Sequence, residues 1–194
     1  MKHLIIFAHP HENSLNHSFL DSTTQALDKL GHEYIVRDLY KQNFQPVLTS
    51  EDTSRMKEGN TPEDIAVEQK YLIEADNVIL IYPIWWTGLP AIIKGYIDRV
   101  FAFGFAYVHT EEGTMQLLKG KTGLIINTYG TPHDIYEQMN MNEAMRNTSD
   151  IGILDFTGIA PLDHLFFSDI GNLTESAYKK MIKDIEDRVT TLFK

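Results

Sequence analysis

The sequence predicts an α/β fold: a five-stranded parallel sheet with helices on both faces. Three observations carry that prediction. Short apolar stretches recur at residues 4–8, 78–82 and within 123–127, as Leu124-Ile125-Ile126, the pattern of strands buried on both faces. Each run opens into a loop of Pro, Gly, Asn, Ser and Thr, and then into apolar residues at helical spacing. No repeat, low-complexity tract or linker interrupts the alternation, so residues 1–194 read as one domain, close to the ~100–150 residues common for such units.

The elements follow in order. Residues 4–8 form the first strand. After the loop HPHENS, Leu15, Phe19, Ala26 and Leu30 recur at helical spacing, and Gly31 supplies a stop. Residues 33–39 alternate like an edge strand. Residues 40–61 are polar and turn-rich, an expected excursion over the surface. A helix over 62–75 leads into the strand 78–82. The loop PIWWTGLP is bracketed by Pro83 and Pro90, and Pro90 suits the first turn of the next helix, where its missing N–H costs nothing. Ile92, Ile93, Tyr96, Ile97, Val100 and Phe101 form that helix's buried side. The strand 123–127 ends in TYGTPHD, a helix covers part of 140–156, and 162–168 is the last strand. The final helix starts near Thr174, with Tyr178, Met181, Ile182, Ile185, Val189 and Leu192 on one face.

Charge and composition exclude several functions. There are 17 Lys and Arg against 27 Asp and Glu, a net charge of −10, whereas a phosphate backbone or an anionic membrane calls for a basic surface. No apolar run approaches the ~18 residues of a membrane span, and MKHLIIFAHPHE reads as a first strand rather than a signal peptide. We therefore expect a cytoplasmic protein, with the Asn16, Asn147 and Asn172 sequons matched by chance. With no cysteine, disulfides, thiolate metal sites and cysteine nucleophiles are absent.

In parallel sheets ligands sit beyond the carboxyl ends of the strands, where the strand order switches. The loops there name the candidates. After the first strand come His9, Ser14, Asn16, His17 and Ser18, at a helix N-terminus that favours an anion. The loop lacks the glycine patterns of nucleotide-binding loops, so a phosphate would be held by Ser, Asn and His; a plain helix cap uses the same residues. Trp85 and Trp86 lie where they can stack on a flat heteroaromatic ring, or simply cover the sheet end. Asn127, Thr128, Tyr129 and Gly130 offer amides and hydroxyls to a ring edge, and are also ordinary turn residues.

AHPHENSLN at 8–16, followed in order by the segment 68–107 that contains ILIYPIWWTGLPAIIKGYIDRVFAFGFAY, resembles the flavodoxin-like NAD(P)H:quinone oxidoreductase family, in particular its short bacterial general-stress and potassium-efflux-ancillary members. The resemblance spans essentially the whole chain. It implies a flavin, FMN in preference to FAD for so compact a chain, with NAD(P)H as donor and a quinone, azo or nitro compound as acceptor. It also implies a homodimer with the flavin near the interface, and a possible regulated protein partner. It places His9, Ser14, Leu15 and Asn16 on the phosphate side, Pro83, Ile84, Trp85 and Trp86 with Thr87 along the ring, Asn127, Thr128, Tyr129 and Gly130 at its edge, and Tyr136 as a further flavin contact. Tyr107 and His109 fall where the family lines the nicotinamide and quinone slot. Two departures stand out: Asn127 and Tyr129 replace Thr and Gly of the usual TTGG, and no histidine follows Tyr136 where mammalian members carry a Tyr/His pair.

The expected mechanism is ping-pong, with the flavin carrying the chemistry and backbone N–H groups of 86–87 and 128–130 stabilising its reduced, anionic form. Tyr107 and His109 are the candidate proton donors, histidine being the side chain suited to proton transfer near neutral pH. Two other readings remain open. AHPHE also resembles the AHPDDE start of zinc-dependent deacetylases, with His9, His11 and Glu12 as ligands, although Asp163-His164 then stands alone and the Trp pair goes unexplained. A non-catalytic flavodoxin-like electron carrier or regulatory subunit fits the acidity. His3, His32 and His164 read as surface or packed residues, Met139, Met141 and Met145 as packing, and residues 184–187 as a solvated helix side.

Overall fold

The computed structural model describes residues 1–194. Five parallel strands form the sheet: β1 (Lys2–Phe7), β2 (Glu33–Asp38), β3 (Asn77–Pro83), β6 (Thr122–Thr128) and β7 (Ala160–Phe167), in the order β2-β1-β3-β6-β7. The chain adds strands to one side of β1 and then to the other, so the order switches between β1 and β3.

The apolar runs are buried on both faces because helices cover both. Leu4 and Ile6 alternate with Ile5 and Phe7 between two separate cores. On one face α1 (Leu15–Lys29) and α7 (Glu175–Phe193) bring Phe19, Leu27, Ile185 and Val189 onto Ile5, Phe7, Ile81 and Ile126. On the other, α3 (Glu63–Glu74), α4 (Ala91–Val100) and α6 (Met141–Arg146) cover Leu4, Ile6, Leu80 and Ile125 with Leu72, Ile93, Tyr96 and Met145. Pro62 and Pro90 stand immediately before α3 and α4, and Gly31 ends the first crossover at φ +70°.

Three elements depart from the sequence expectations. The surface excursion contains α2 (Ser50–Lys57), closed by a capping box between Thr49 and Asp52. Before α2 the segment crosses α4 so closely that a Cβ on Gly95 would lie 2.1 Å from the Pro46 carbonyl oxygen. A hairpin, β4 (Tyr107–Thr110) with β5 (Gly113–Gln116), stands between α4 and β6. After α5 (His133–Gln138) and α6, the helix expected within 140–156 widens into a π-helical segment, Asn147–Asp155, a winding often found beside functional sites. No helix is long and apolar enough to cross a membrane.

Candidate cofactor and substrate site

The carboxyl ends of β1, β3 and β6 converge at the switch point. Ala8 donates its N–H to Ile81 and Ile84 donates to Thr128, at 3.0 and 2.8 Å, so the three outgoing loops leave from one edge. Ser14 is the N-cap of α1, its hydroxyl accepting from His17 N–H at 3.2 Å. Asn16 is buried in the first turn, and its Oδ1 accepts from the Thr128 hydroxyl at 2.6 Å across 112 residues of sequence. That bond ties the first loop to the third and forms the floor of a crevice. Asn16 Nδ2 is left buried without a partner, although a buried amide donor ordinarily finds one. Leu15 begins the same turn, half-buried.

The walls come from the other loops. His9, held by a 3.1 Å bond from His11 N–H to its Nδ1, faces Trp85 with ring centroids 6.3 Å apart. Burial lowers the His9 pKa, and the charges of His11 and His17 lower it further, against a backbone bond to His11 that raises it; this favours the neutral imidazole. Pro83 and Ile84 are buried beneath the loop. Trp85 and Gly88 exchange backbone bonds of 3.2 and 3.1 Å around a two-residue turn, and both central residues, Trp86 and Thr87, are left-handed at φ 52° and 57°. Trp86 is 101% exposed. The N–H groups of Trp86, Thr87 and Gly130 carry no intramolecular hydrogen bond, and a Cβ on Gly130 would meet nothing. These are free donors and open backbone, suited to the edge of a planar, hydrogen-bonding ring.

Two of the expected ring-edge residues turn inward. Asn127 is fully buried, its amide donating to the carbonyls of Tyr82 and Ile126. Tyr129 is 2% exposed; its ring stacks on Tyr136 at 4.9 Å and its hydroxyl donates to Asn142 at 3.0 Å, while burial raises its pKa. Its N–H is taken by Phe167 at 2.9 Å. Thr128 is buried as well, at 1% exposure with its hydroxyl committed to Asn16, so of the four residues only the Gly130 backbone is left open. Tyr136 backs Tyr129 from a half-buried position.

Tyr107 and His109 lie elsewhere in the same chain. Because β3 and β6 are parallel, the chain must return to the amino end of the sheet before Thr122, and β4–β5 is anchored there. Leu117 N–H bonds Ala106 O at 2.9 Å and Leu118 N–H bonds Thr157 O at 3.0 Å, just before β6 and β7 begin. Tyr107 packs on Phe103, His109 and Phe156 at 5.8, 5.6 and 5.0 Å, and His109 Nδ1 is 3.2 Å from the Thr114 hydroxyl. This aromatic group borders a groove of about 700 Å³ that Leu48, Met56 and Ile153 also line. Phe103 and Phe156 are residues that sequence reasoning missed: Phe103 stands four residues before Tyr107, whereas Phe156 reaches it only through the fold.

The zinc reading finds no geometry. His9 and His11 contact one another, but Glu12 turns to Lys41 at 3.5 Å, and no group of three or more metal-ligating side chains converges anywhere. The histidines expected to be surface or packed divide. His3 and His164 are buried at 2% and 1% exposure, and His32 stacks on His3 with a 2.9 Å bond between ring nitrogens.

Residues 1–189 match the family model described as a flavodoxin-like fold. The chain is 37% identical over 185 residues to an uncharacterized NAD(P)H oxidoreductase of Haemophilus influenzae, covering 94% of this chain and 91% of that protein. It is 30% identical over 210 residues to the NAD(P)H dehydrogenase [quinone] 1 of Rattus norvegicus, covering 98% of this chain and 77% of the other. The solved NAD(P)H:quinone oxidoreductase from Methanothermobacter marburgensis superposes with a TM-score of 0.91 at 28% identity, over 99% of this chain and 98% of that one.

Proposed function

Because this chain belongs to the flavodoxin-like fold family, we propose that it is a flavin-dependent NAD(P)H:quinone oxidoreductase, with FMN as the flavin. The observation that carries the reading is at the β1/β3 switch: a buried, partnerless Asn16 amide in the first turn of a helix, on one of three loops leaving the same sheet edge, with free N–H groups at Trp86, Thr87 and Gly130 on the other two. Relatives that match nearly the whole chain are named as NAD(P)H oxidoreductases and quinone dehydrogenases, which supports the same donor and acceptor class.

The bound flavin supplies the two-electron chemistry, taking electrons from NAD(P)H and passing them to a quinone. The chain's own residues bind and orient. The first turn of α1, with His9, Ser14, Leu15 and Asn16, holds the phosphate end by backbone donors and dipole. Trp85, Trp86 and Thr87, seated on buried Pro83 and Ile84, would lie along the ring, and the Gly130 backbone, beside buried Thr128, would meet its edge. The free N–H groups are positioned to stabilise negative charge on the reduced ring.

Tyr107 and His109 enter this scheme through a second copy of the chain. Phe103, Met115, Leu117 and Phe156 are all exposed around the hairpin, an apolar surface of the kind that marks an interface. A two-fold dimer that covers it would carry the Tyr107 wall of one protomer to the crevice of its partner. Tyr107 and His109 then shape the acceptor slot, with His109 as the proton donor within reach.

The test is the visible spectrum of the purified protein. A flavin spectrum that bleaches with NAD(P)H and recovers with a quinone, in ping-pong kinetics, is the expected result, and chromatography of the released cofactor should give FMN. A colourless protein that takes up no added flavin overturns the reading. A flavoprotein that NAD(P)H does not reduce is an electron carrier instead.

A further inference from the structure

Beneath the crevice floor lies a buried titratable group that this chemistry leaves unused. His164, on β7, has Nδ1 2.8 Å from Asp150 Oδ1 and Nε2 2.6 Å from Asn127 Oδ1. The orientation of Asn127 is fixed independently. Its Nδ2 donates to the main-chain carbonyls of Tyr82 at 2.9 Å and Ile126 at 3.1 Å, and turning the amide over would press its oxygen against both. Asn127 Oδ1 therefore faces His164, and it can only accept, so Nε2 carries a hydrogen. The Asp150 carboxylate can also only accept, so Nδ1 carries one too. A neutral imidazole has a single N–H.

The neighbours pull in both directions. On α6, Arg146 donates to the His164 carbonyl at 2.9 Å and stands 3.8 Å from Asp150, on the π-helical segment. On β7 itself, Asp163 accepts from His164 N–H at 2.8 Å and is held by Arg188 of α7 at 2.6 Å. From β3, Tyr82 meets the Ser149 hydroxyl at 3.5 Å, and Phe166 stacks on the imidazole at 3.9 Å. Burial, helped by Arg146, holds the ring's pKa below that of an ordinary histidine, against the bond and charge of Asp150 and the charge of Asp163, which raise it. The case for the cation is the geometry that opposes this burial: two acceptors, one on each ring nitrogen, at 2.8 and 2.6 Å.

We propose that His164 is a positioning residue: a buried imidazolium, paired with Asp150, that clamps Asn127 and through it the ends of β3 and β6. The positive end of the pair lies on Asn127, the residue before Thr128, whose hydroxyl makes the floor bond to Asn16. Resting on the reading of the crevice as a flavin site, the consequence is that negative charge on the reduced flavin is stabilised from beneath and its midpoint potential is raised.

The test uses the holoprotein labelled with ¹⁵N histidine. At pH 7 His164 should show hydrogen on both ring nitrogens, and Asp150→Asn should leave only one. His164→Gln keeps a neutral donor toward Asn127 and removes the charge. It should retain bound flavin and a native circular dichroism spectrum, yet lower the midpoint potential by about 30 mV or more, a tenfold shift in a two-electron equilibrium. Asp150→Asn should lower it in the same direction, which keeps the test decisive if His164→Gln fails to fold. A neutral His164 in the unsubstituted protein overturns the imidazolium, and an unchanged potential in both variants overturns the positioning role. If no flavin binds at all, the crevice assignment fails and the effect on potential fails with it, while the nitrogen spectra still decide the charge on His164.

Discussion

At the residue scale the most expensive feature is the turn that carries Trp86. A two-residue turn with both central residues left-handed normally uses Asn-Gly, and here it holds Trp86 and the β-branched Thr87 at φ 52° and 57°. Left-handed backbone costs ~1–2 kcal/mol for such residues. The strain holds a tryptophan clear of the surface and leaves two N–H groups free beside it, which is the arrangement a stacked ring requires. Replacing the pair by Asn-Gly should therefore raise the unfolding free energy by about 1–2 kcal/mol in urea titration while weakening flavin binding; a less stable variant would sink the argument. His3 gives a second prediction at this scale. Burial first, then the charges of His32 and the amino terminus, lower its pKa to about 4. The unfolded chain, with an ordinary histidine near ~6.5, takes up its proton first as pH falls, so this contribution is full above that pH and is lost progressively toward about 4. Melting temperature measured between pH 7 and 4 should fall less steeply for His3→Gln than for the unsubstituted protein. Equal slopes would assign the acid loss to other groups.

At the element scale the crevice depends on α4, which leaves the Trp loop, and α4 is held from outside the sheet. Arg99 grips Asp52 of α2 through Nε and Nη2, both at 3.2 Å, and reaches Asp64 at 2.6 Å and the Gln45 carbonyl at 2.9 Å. Burial works to raise the Asp52 pKa, but the bonds from Arg99 and Thr49 prevail and hold it below the usual range. Arg99→Ala leaves that carboxylate buried and unpaired, a loss of about 3–5 kcal/mol readable as a lower denaturant midpoint; a loss under ~1 kcal/mol would place the pair among ordinary surface ion pairs. How legible these elements were follows from their physics. The central strands declared themselves because burial on both faces demands unbroken apolar runs. The helix α2 was missed because its residues are almost all polar, although the Thr49-x-x-Asp52 capping box stood in the sequence as a start signal. Hairpin β4–β5 was missed because its four-residue strands alternate too briefly to register. The π-helical winding of 147–155 left no periodic trace, and the Asp150–His164 bond depends on it.

At the scale of the whole molecule, topology explains why one group of predicted site residues converged and another did not. The first, third and fourth strands in the sheet all point their carboxyl ends to the switch, so the loops at His9–Asn16, Trp85–Thr87 and Thr128–Gly130 had to meet. The sequence could not show that Asn127 and Tyr129 turn inward, since that depends on partners 37 and 13 residues away, His164 and Asn142. Nor could it show that Tyr107 and His109 return to the opposite end of the sheet, because spacing along one chain says nothing of a second. If the acceptor slot is shared between protomers, it can be reconstituted from two damaged chains. Trp86→Ala removes the crevice wall and Tyr107→Ala with Phe156→Ala removes the hairpin wall, so each homodimer alone should reduce quinone poorly. After mixing and exchange, half of the dimers are hybrids, and each hybrid holds one site with both walls intact. Roughly one quarter of the original quinone reductase activity should then return, as a two-fold interface requires. Exchange verified by size and mass with no recovered activity would show that each chain completes its own slot, and would remove Tyr107 and His109 from the site.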